Sequence, residues 1–517
     1  MATQIPPASK KQRREAQAGA AEVTDMPVDL PNVRIRLEAS ESGEQLPHSL
    51  RVPAASTVPQ LEMLVNQLLN NDDSVPYEFS LRATPKAAAA DIKHDLYTDV
   101  FKPELRTTED ELVLVYTPRA VFRVRNITRS SGVALGHGAT ILTAKFAPHT
   151  ATRAVTGAGD CTARLWSSDS GTPVKTLGGM HNDHVLSVAW SPDGEAVATG
   201  SRDASICVWD STKGTLLGKK LVGHAKFITD LAWEPLHLKK GAGRLPRLVS
   251  SSKDGTARVW DVETGVCEFT LSGHTNSVSC VKWGGLGHIY TGSHDKTMKV
   301  WDAQSGRLLS THQSHAHWIN HIALSTDFAL RSGPFGPTTL LNTPMPKQNE
   351  DPARLKAVAQ QKYDTALSQS GGVERVVTAS DDFTMFLWTP LKQLKPVARM
   401  TGHQKLVNHV TFSPDAAYLA SASFDNSVKL WDGKTGKFVA SLRGHVAAVY
   451  QCAWAADSRL LVSCSKDTTL KIWDMKTRKL KTDLPGHQDE VFAVDWSIDG
   501  TKVVSGSKDK TVRFWTY

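Results

Sequence analysis

Tryptophan returns along this chain at a nearly constant interval: Trp166, Trp209, Trp260, Trp301, Trp388, Trp431, Trp473 and Trp515. The steps are 43, 51, 41, 87, 43, 42 and 42 residues. Six positions before each tryptophan stands an aspartate: Asp160, Asp203, Asp254, Asp295, Asp382, Asp425, Asp467 and Asp509. Four positions before each aspartate stands a hydroxyl residue: Thr156, Thr199, Ser250, Thr291, Thr378, Ser421, Ser463 and Ser505. A Gly-His pair or its relic opens each unit, at His137, His181, His224, His274, His315, His403, His445 and His487. Between these markers, segments such as VLSVAWSPDGEAVATGSRDASICVWD alternate apolar and polar residues and break at Asp-Gly turns, as short antiparallel strands do. A unit this small cannot bury its apolar face alone, so neighbouring units must stack. Eight of them predict an all-β ring of eight four-stranded sheets, a β-propeller.

The pattern resembles WD40 repeats, and five units end in the Trp-Asp dipeptide itself. In that repeat the tryptophan lies on the third strand of a blade. The chain stops two residues after Trp515, so the eighth blade lacks its fourth strand. The alternating stretch AVFRVRNIT, residues 120–128, is the expected donor, closing the ring and removing an open edge. Serine, histidine and aspartate together also suggest a hydrolytic triad. A catalytic site is made once, however, whereas this set occurs eight times at fixed spacing. The WD40 resemblance implies a structural hydrogen-bond network in each blade, which satisfies buried polar groups. No enzyme is expected.

Composition narrows the remaining classes. The chain has 517 residues, 60 Lys+Arg against 52 Asp+Glu, and a formal net charge of +8. That excess permits a polyanionic partner without proving one. No apolar run is long enough to cross a bilayer, and no signal-peptide core opens the chain, so a soluble, intracellular protein is expected. The six cysteines form no C-x-x-C pair, which disfavours zinc ribbons and disulfide frameworks. GKTGK, residues 433–437, lacks phosphate-loop spacing and recurs in kind as VETGV and AQSGR, so it reads as an inter-blade turn. SHAHWINH offers His315, His317 and His321, but His315 is already a repeat histidine and no cysteine is near. No metal or cofactor bound by this chain alone is expected.

Two inserts interrupt the repeat. In blade 3, at about 236–247, PLHLKKGAGRLPR carries Lys239, Lys240, Arg244 and Arg247 and no acid. It reads either as a solvated loop or as a finger that contacts RNA phosphates. In blade 5, residues at about 328–373 begin rich in Pro and Gly and are expected to be irregular. They continue as DPARLKAVAQQKYDTALSQS, a helix with Asp351 as N-cap and Pro352 in its first turn.

The first 28 residues, with KKQRR at 10–14, read as a disordered basic tail. VRIRLEA and SLRVPA suggest a hairpin, TVPQLEMLVNQLLNN a helix, DIKHDLYTDVF a short helix, and LVLVYTP a last strand. This small α+β domain, residues 29–118, resembles a ubiquitin-like fold, with the propeller following over 119–517. A ubiquitin-like domain joined to an eight-bladed WD40 propeller resembles the Notchless family of large-ribosomal-subunit (60S) assembly factors, in its fungal-type form. The strings VPYEFS, LVYTPRAVFRV, GHTNSVSCVKWGG, SHAHWINH, ASDDFTMFLW, MTGHQKLVNHV and FDNSVKLWDGKTGKF carry that resemblance.

Just before the last strand stand Glu109, Asp110 and Glu111. From the residues alone they read as an acidic loop guarding a strand end. The resemblance implies instead that the ubiquitin-like domain docks on the metal-ion-dependent adhesion site of midasin, an AAA ATPase. Glu109 would then complete the coordination of the partner's Mg²⁺, with Asp110 and Glu111 as flanking acids. It also implies a monomer in the nucleus, nucleolus and nucleoplasm, bound to pre-60S particles with their ribosomal proteins, other assembly factors and rRNA, and engaged in rRNA processing. Other classes stay open: a ubiquitin-pathway receptor, or a signalling scaffold of the G-protein β type.

Overall fold

Val33, Ile35 and Leu37 alternate with Arg34, Arg36 and Glu38, and the first three are buried while the others face outward or half-outward. They form β1 (Asn32–Ala39), which pairs antiparallel with β2 (Leu50–Pro53). The computed structural model describes residues 32–39, 49–54, 56–69, 77–82, 90–92, 95–101, 112–118, 124–239, 241, 244–336 and 351–517. Within the first unit, β3 (Tyr77–Leu81), β4 (Ala90–Ile92) and β5 (Leu112–Pro118) complete a sheet ordered β2-β1-β5-β3-β4. β1 and β5 run parallel at its centre. Helix α1 (Val58–Leu68) lays Leu61 and Val65, one turn apart, into the same core as Phe79 and Leu114. Its start is fixed by the Thr57 N–H donating to Gln60 Oε1 at 3.0 Å, one half of a capping box. The expected helix over 91–101 is shorter, a single turn at Tyr97–Phe101, because Ala90–Ile92 join the sheet edge.

The chain divides after Val121 into two compact units. In the second, eight four-stranded antiparallel sheets follow one another, seven of them ordered by sequence from inner to outer strand and the eighth completed by a strand from the start of the unit. The first strands of successive blades touch around the ring, from Ile141–Phe146 of blade 1 to Val491–Trp496 of blade 8. These strands line the central channel.

The closing strand lies elsewhere than expected. β6 (Arg129–Ala134) supplies the fourth strand of blade 8, with Ala134 opposite Val512 and Arg129 opposite Thr516, in place of the expected 120–128, of which residues 120–123 lie outside the described residues. In each blade the outer strand runs directly into the histidine-led turn, and β6 does so before His137. Residues 124–128 act as an anchor instead. Val124 and Ile127 are buried among blade 7 and 8 residues, and the Val124 N–H donates to Asp457 Oδ2 at 2.8 Å.

Blade 5 leaves its first strand at Leu324 and returns at Val376. Between them lie α2 (Asp327–Ser332) and α3 (Pro352–Gln369). Asp351 caps α3 as expected, accepting from the Ala353 N–H at 3.1 Å. The short helix α2 was not foreseen, and residues 337–350, where irregular chain was expected, lie outside the described residues.

Candidate binding site

Each blade places its marker residues in one closed chain of hydrogen bonds. In blade 7, Trp473 Nε1–H donates to Ser463 Oγ at 2.8 Å, and that hydroxyl meets His445 Nε2 at 2.8 Å. His445 Nδ1 meets Asp467 Oδ2 at 2.8 Å, and the same oxygen accepts from the Val446 N–H. An imidazole that carries its proton on Nδ1 and accepts at Nε2 lets the donors run one way, indole to hydroxyl to imidazole to carboxylate. Blade 4 repeats this with His274, Thr291, Asp295 and Trp301, blade 6 with His403, Ser421, Asp425 and Trp431, and blade 8 with His487, Ser505, Asp509 and Trp515. The four hydroxyl residues Thr291, Ser421, Ser463 and Ser505 have no exposed surface. A hydroxyl with no access to solvent cannot attack a substrate, so the triad-like composition holds turns and does not make a nucleophile.

Blade 2 is the loose copy. His181 Nδ1 turns to Ser205 Oγ at 3.1 Å and stands 3.6 Å from Asp203, whose second oxygen takes Lys220 at 3.1 Å.

The electrostatics set a pH dependence. Burial would raise the aspartates, but hydrogen bonds outweigh it: Asp254 is held down at about 2 by Thr256, His224 and the Ala225 N–H. Asp295, Asp425, Asp467 and Asp509 are likewise held below the usual carboxylate range. Burial also lowers His137, His181, His224 and His487, against the pull of their aspartates. Both groups bind fewer protons when folded than when unfolded, so acid favours the unfolded chain. Stability is full above the free imidazole value of about 6.5, declines as pH falls below it, and declines further below about 3.9 as unfolded aspartates protonate. Thermal melts from pH 7.5 downward are therefore expected to show a falling midpoint in two stages. A midpoint flat to pH 4 would contradict the neutral-histidine network.

The blade 5 insert covers the channel end formed by the turns between first and second strands. Arg331 of α2 donates to Asp495 Oδ1 at 2.6 Å and to the Trp496 carbonyl at 3.3 Å in blade 8. On α3, Leu355 and Ala359 pack with Leu236 of blade 3, Phe335 and Ile498 of blade 8. Tyr363 stacks on His237 with ring centroids 4.8 Å apart. Its ring sits so close to Gly285 that a Cβ there would lie 2.0 Å away, and at Gly284 a Cβ would lie 2.4 Å from Glu374, which together explain the Gly-Gly pair after Trp283. Lys362 donates to the Pro334 carbonyl at 2.8 Å and to that of Gly336, and burial lowers its ammonium to about 8.

Behind this cover the channel holds a cavity of about 580 Å³ whose walls carry Lys145, Asp230, Lys282, His321, His409 and Asp495. Burial keeps His321 and His409 well below the ordinary imidazole range. Sequence reasoning missed this lining, although charged residues in otherwise apolar first strands could have pointed to it.

The basic loop is committed to acids. Lys239 pairs with Asp193 at 3.3 Å, Arg244 with Glu263 at 3.1 Å, and Arg247 with Glu234 at 2.7 Å and Glu268 at 3.1 Å. The Arg247 guanidinium also lies over the Trp283 ring. Any phosphate contact from these three would compete with those partners. Lys240, the 1–28 tail and the acids Glu109, Asp110 and Glu111 lie outside the described residues. The strand those acids lead into is described: Leu112, its first residue, stands opposite Ile35 at the centre of the sheet. The three histidines of SHAHWINH part company. His315 joins Thr378 and Asp382, His317 stands 3.5 Å from Asp381, and His321 faces His409 in the channel. GKTGK is a turn whose Lys434 and Thr435 N–H groups donate to Asp432.

Comparison with known proteins agrees with this architecture. The family model described as "WD domain, G-beta repeat" matches residues 130–167, 171–210, 215–261, 265–302, 394–432, 436–474 and 478–516. It passes over blade 5, whose first two strands the insert separates. The model "NLE (NUC135) domain" matches residues 33–84. "Ribosome assembly protein 4" of Saccharomyces cerevisiae is 57% identical over 447 residues, 85% of each chain. The protein of the same name from Chaetomium thermophilum is 46% identical over 85% of each. "Protein Notchless" of Drosophila melanogaster is 42% identical over 73% of this chain and 74% of its own. Among solved structures, the computationally designed Ika8 protein is similar over 75% of this chain and all of its own, with a TM-score of 0.56 and 26% identity.

Proposed function

Because the chain belongs to the Notchless family of WD40-repeat ribosome assembly proteins, we propose that it is a non-catalytic factor of the pre-60S particle, tethered to the AAA ATPase midasin. The observation that carries the assembly role is the match to ribosome assembly proteins across both units of the chain, not the propeller alone, since propellers serve many functions. In this reading the propeller holds the pre-ribosome in the nucleus and nucleolus. The N-terminal unit contributes Glu109, Asp110 and Glu111, which directly precede β5 in the sequence. An adhesion-site Mg²⁺ is a hard, octahedral cation that takes oxygen ligands at about 2.0–2.1 Å. Glu109 would offer one carboxylate oxygen to it, and Asp110 and Glu111 would favour approach to a cationic site. ATP-driven movement of midasin could then be transmitted through β5 and the sheet that holds it, pulling on the bound factor.

The test is a pull-down of the midasin adhesion domain by the full chain, wild type, Glu109→Asp and Glu109→Ala, with Mg²⁺ or with EDTA. Shortening the side chain by one methylene withdraws the oxygen from a site that tolerates little deviation. Binding is expected to fall at least tenfold in both variants, and in EDTA. Wild-type binding by Glu109→Ala, insensitive to EDTA, would overturn the metal-bridged tether and favour recognition through the face of the sheet, as a ubiquitin-pathway receptor would use.

A further inference from the structure

One blade turn departs from the other seven. The residue after each network aspartate adopts left-handed backbone, and the eight are Cys161, Ala204, Gly255, Lys296, Phe383, Asn426, Thr468 and Lys510. Seven are small, polar or flexible. In blade 5 the position holds Phe383, at φ 65° and 46% exposed, a bulky ring in backbone that penalises it and in contact with water. Beside it, the Asp381 N–H donates to the carbonyl of Trp318, a residue 42% exposed. The Trp318 indole stacks on His294 of blade 4, with centroids 4.5 Å apart and planes 10° from parallel. His317 lies 5.0 Å from the same ring. The fold needs neither aromatic: no other blade has one at either of these two positions except Phe227, the counterpart of Trp318 in blade 3, which lies under the Lys253 ammonium at 4.9 Å.

Charge on this face is uneven. On blades 7, 8 and 2 the turn cations are answered by acids: Lys466 by Glu490 at 3.5 Å, Lys508 by Asp489 at 3.6 Å, and Arg202 by Asp183 at 3.7 Å. On blades 3, 4 and 6, the exposed Lys226, Lys253, Lys296 and Lys405 make no ion pair among the described residues. The acids nearby are already engaged. Asp254, Asp295, Asp382 and Asp425 are held by their histidines, and Asp381 by Asn320 and His317.

We propose that this sector, blades 3 to 6, is a docking site for unpaired RNA, with a base stacked at Trp318 and Phe383 and phosphates on Lys226, Lys253, Lys296 and Lys405. Free cations alone would suit any polyanion. Cations interleaved with exposed flat rings select a strand whose bases are available to stack, and every base offers such a face. A duplex hides those faces. This deepens, and rests on, the reading that the propeller holds an RNA-containing particle.

The test uses the full chain and fluorescence anisotropy with a short, non-self-complementary RNA, against a duplex of equal length and a poly-glutamate peptide. Wild type is expected to prefer the unpaired strand. Trp318→Ala should weaken binding roughly 5- to 140-fold, the span of one base–aromatic stack, and Trp318→Phe should restore most of it. Lys253→Ala should lower the slope of log affinity against log salt by about 0.7, one phosphate's share. Lys476→Ala, on a turn at the other end of a blade 7 strand, should change nothing. Unaltered RNA binding by a folded Trp318→Ala, tighter binding of the duplex, or binding of the peptide in place of RNA would each overturn the proposal. If RNA binding is lost in none of the variants while the chain still co-sediments with pre-60S particles, the docking site falls and the assembly role stands.

Discussion

Trp473→Ala is expected to destabilise blade 7 by about 3–5 kcal/mol, the usual cost of emptying a core site of a large aromatic ring. The indole is almost wholly buried and packs so closely that a Cβ on Gly444 would lie 3.1 Å from it. Its removal also takes the donor from Ser463, the hydroxyl that orients His445 and, through it, Asp467. Two further variants separate packing from polarity. Trp473→Phe keeps most of the volume and leaves the Ser463 lone pair without a donor, at about 1–3 kcal/mol. Asp467→Asn keeps the shape but gives up the charge that the Val446 and Thr469 backbone N–H groups and the Thr469 hydroxyl address. A chain of two units need not unfold in one step, so the readout is hydrogen exchange of the blade 7 amides rather than one global midpoint. Protection within about 0.5 kcal/mol of wild type in Trp473→Ala, the range of an ordinary surface change, would show that the repeat does not depend on this residue.

The propeller was legible because its period is written in large, distinctive residues. Trp, His and Asp at fixed offsets reveal both the number of blades and the strand each marker sits on. The two unforeseen features have other causes. The sequence points to 120–128 as the closing strand because that stretch alternates well, whereas RSSGVA at 129–134 is polar, short and glycine-bearing. Its three leading residues are exposed, as an outer strand's can be, so alternation carried little information there. Distance to the next histidine was the better guide. Helix α2 was hidden for the opposite reason: six residues are too few to show helical periodicity, and what fixes them is Arg331 reaching across the channel to Asp495, a contact 164 residues away in sequence. The docking residues differ again. Lys239 and Arg247 looked free on a loop because their partners, Asp193 and Glu234, come from other parts of the fold. Trp318 stands among the histidines of SHAHWINH, and its exposure could not be read from a string.

The location of the closing strand makes an ordered prediction for shortened chains. A protein beginning at residue 122 keeps both the anchor and β6, and should fold with a closed ring. One beginning at 129 loses Val124 and Ile127, each worth about 1.5–3 kcal/mol when fully buried, and the Asn126–Thr482 and Val124–Asp457 bonds. It should melt earlier but remain a monomer, because Arg129–Ala134 still pair with Val512–Thr516. One beginning at 135 leaves the strand Val512–Thr516 as an edge, with its outward N–H and C=O groups unpaired, and opens the ring between blades 8 and 1. An unprotected edge of this kind pairs with other chains, so the expected result is aggregation rather than a looser monomer. Size-exclusion chromatography of the three proteins decides it. Had residues 120–128 been the closing strand, the chain starting at 129 would already aggregate, and that outcome would return the seam of the ring to the earlier stretch.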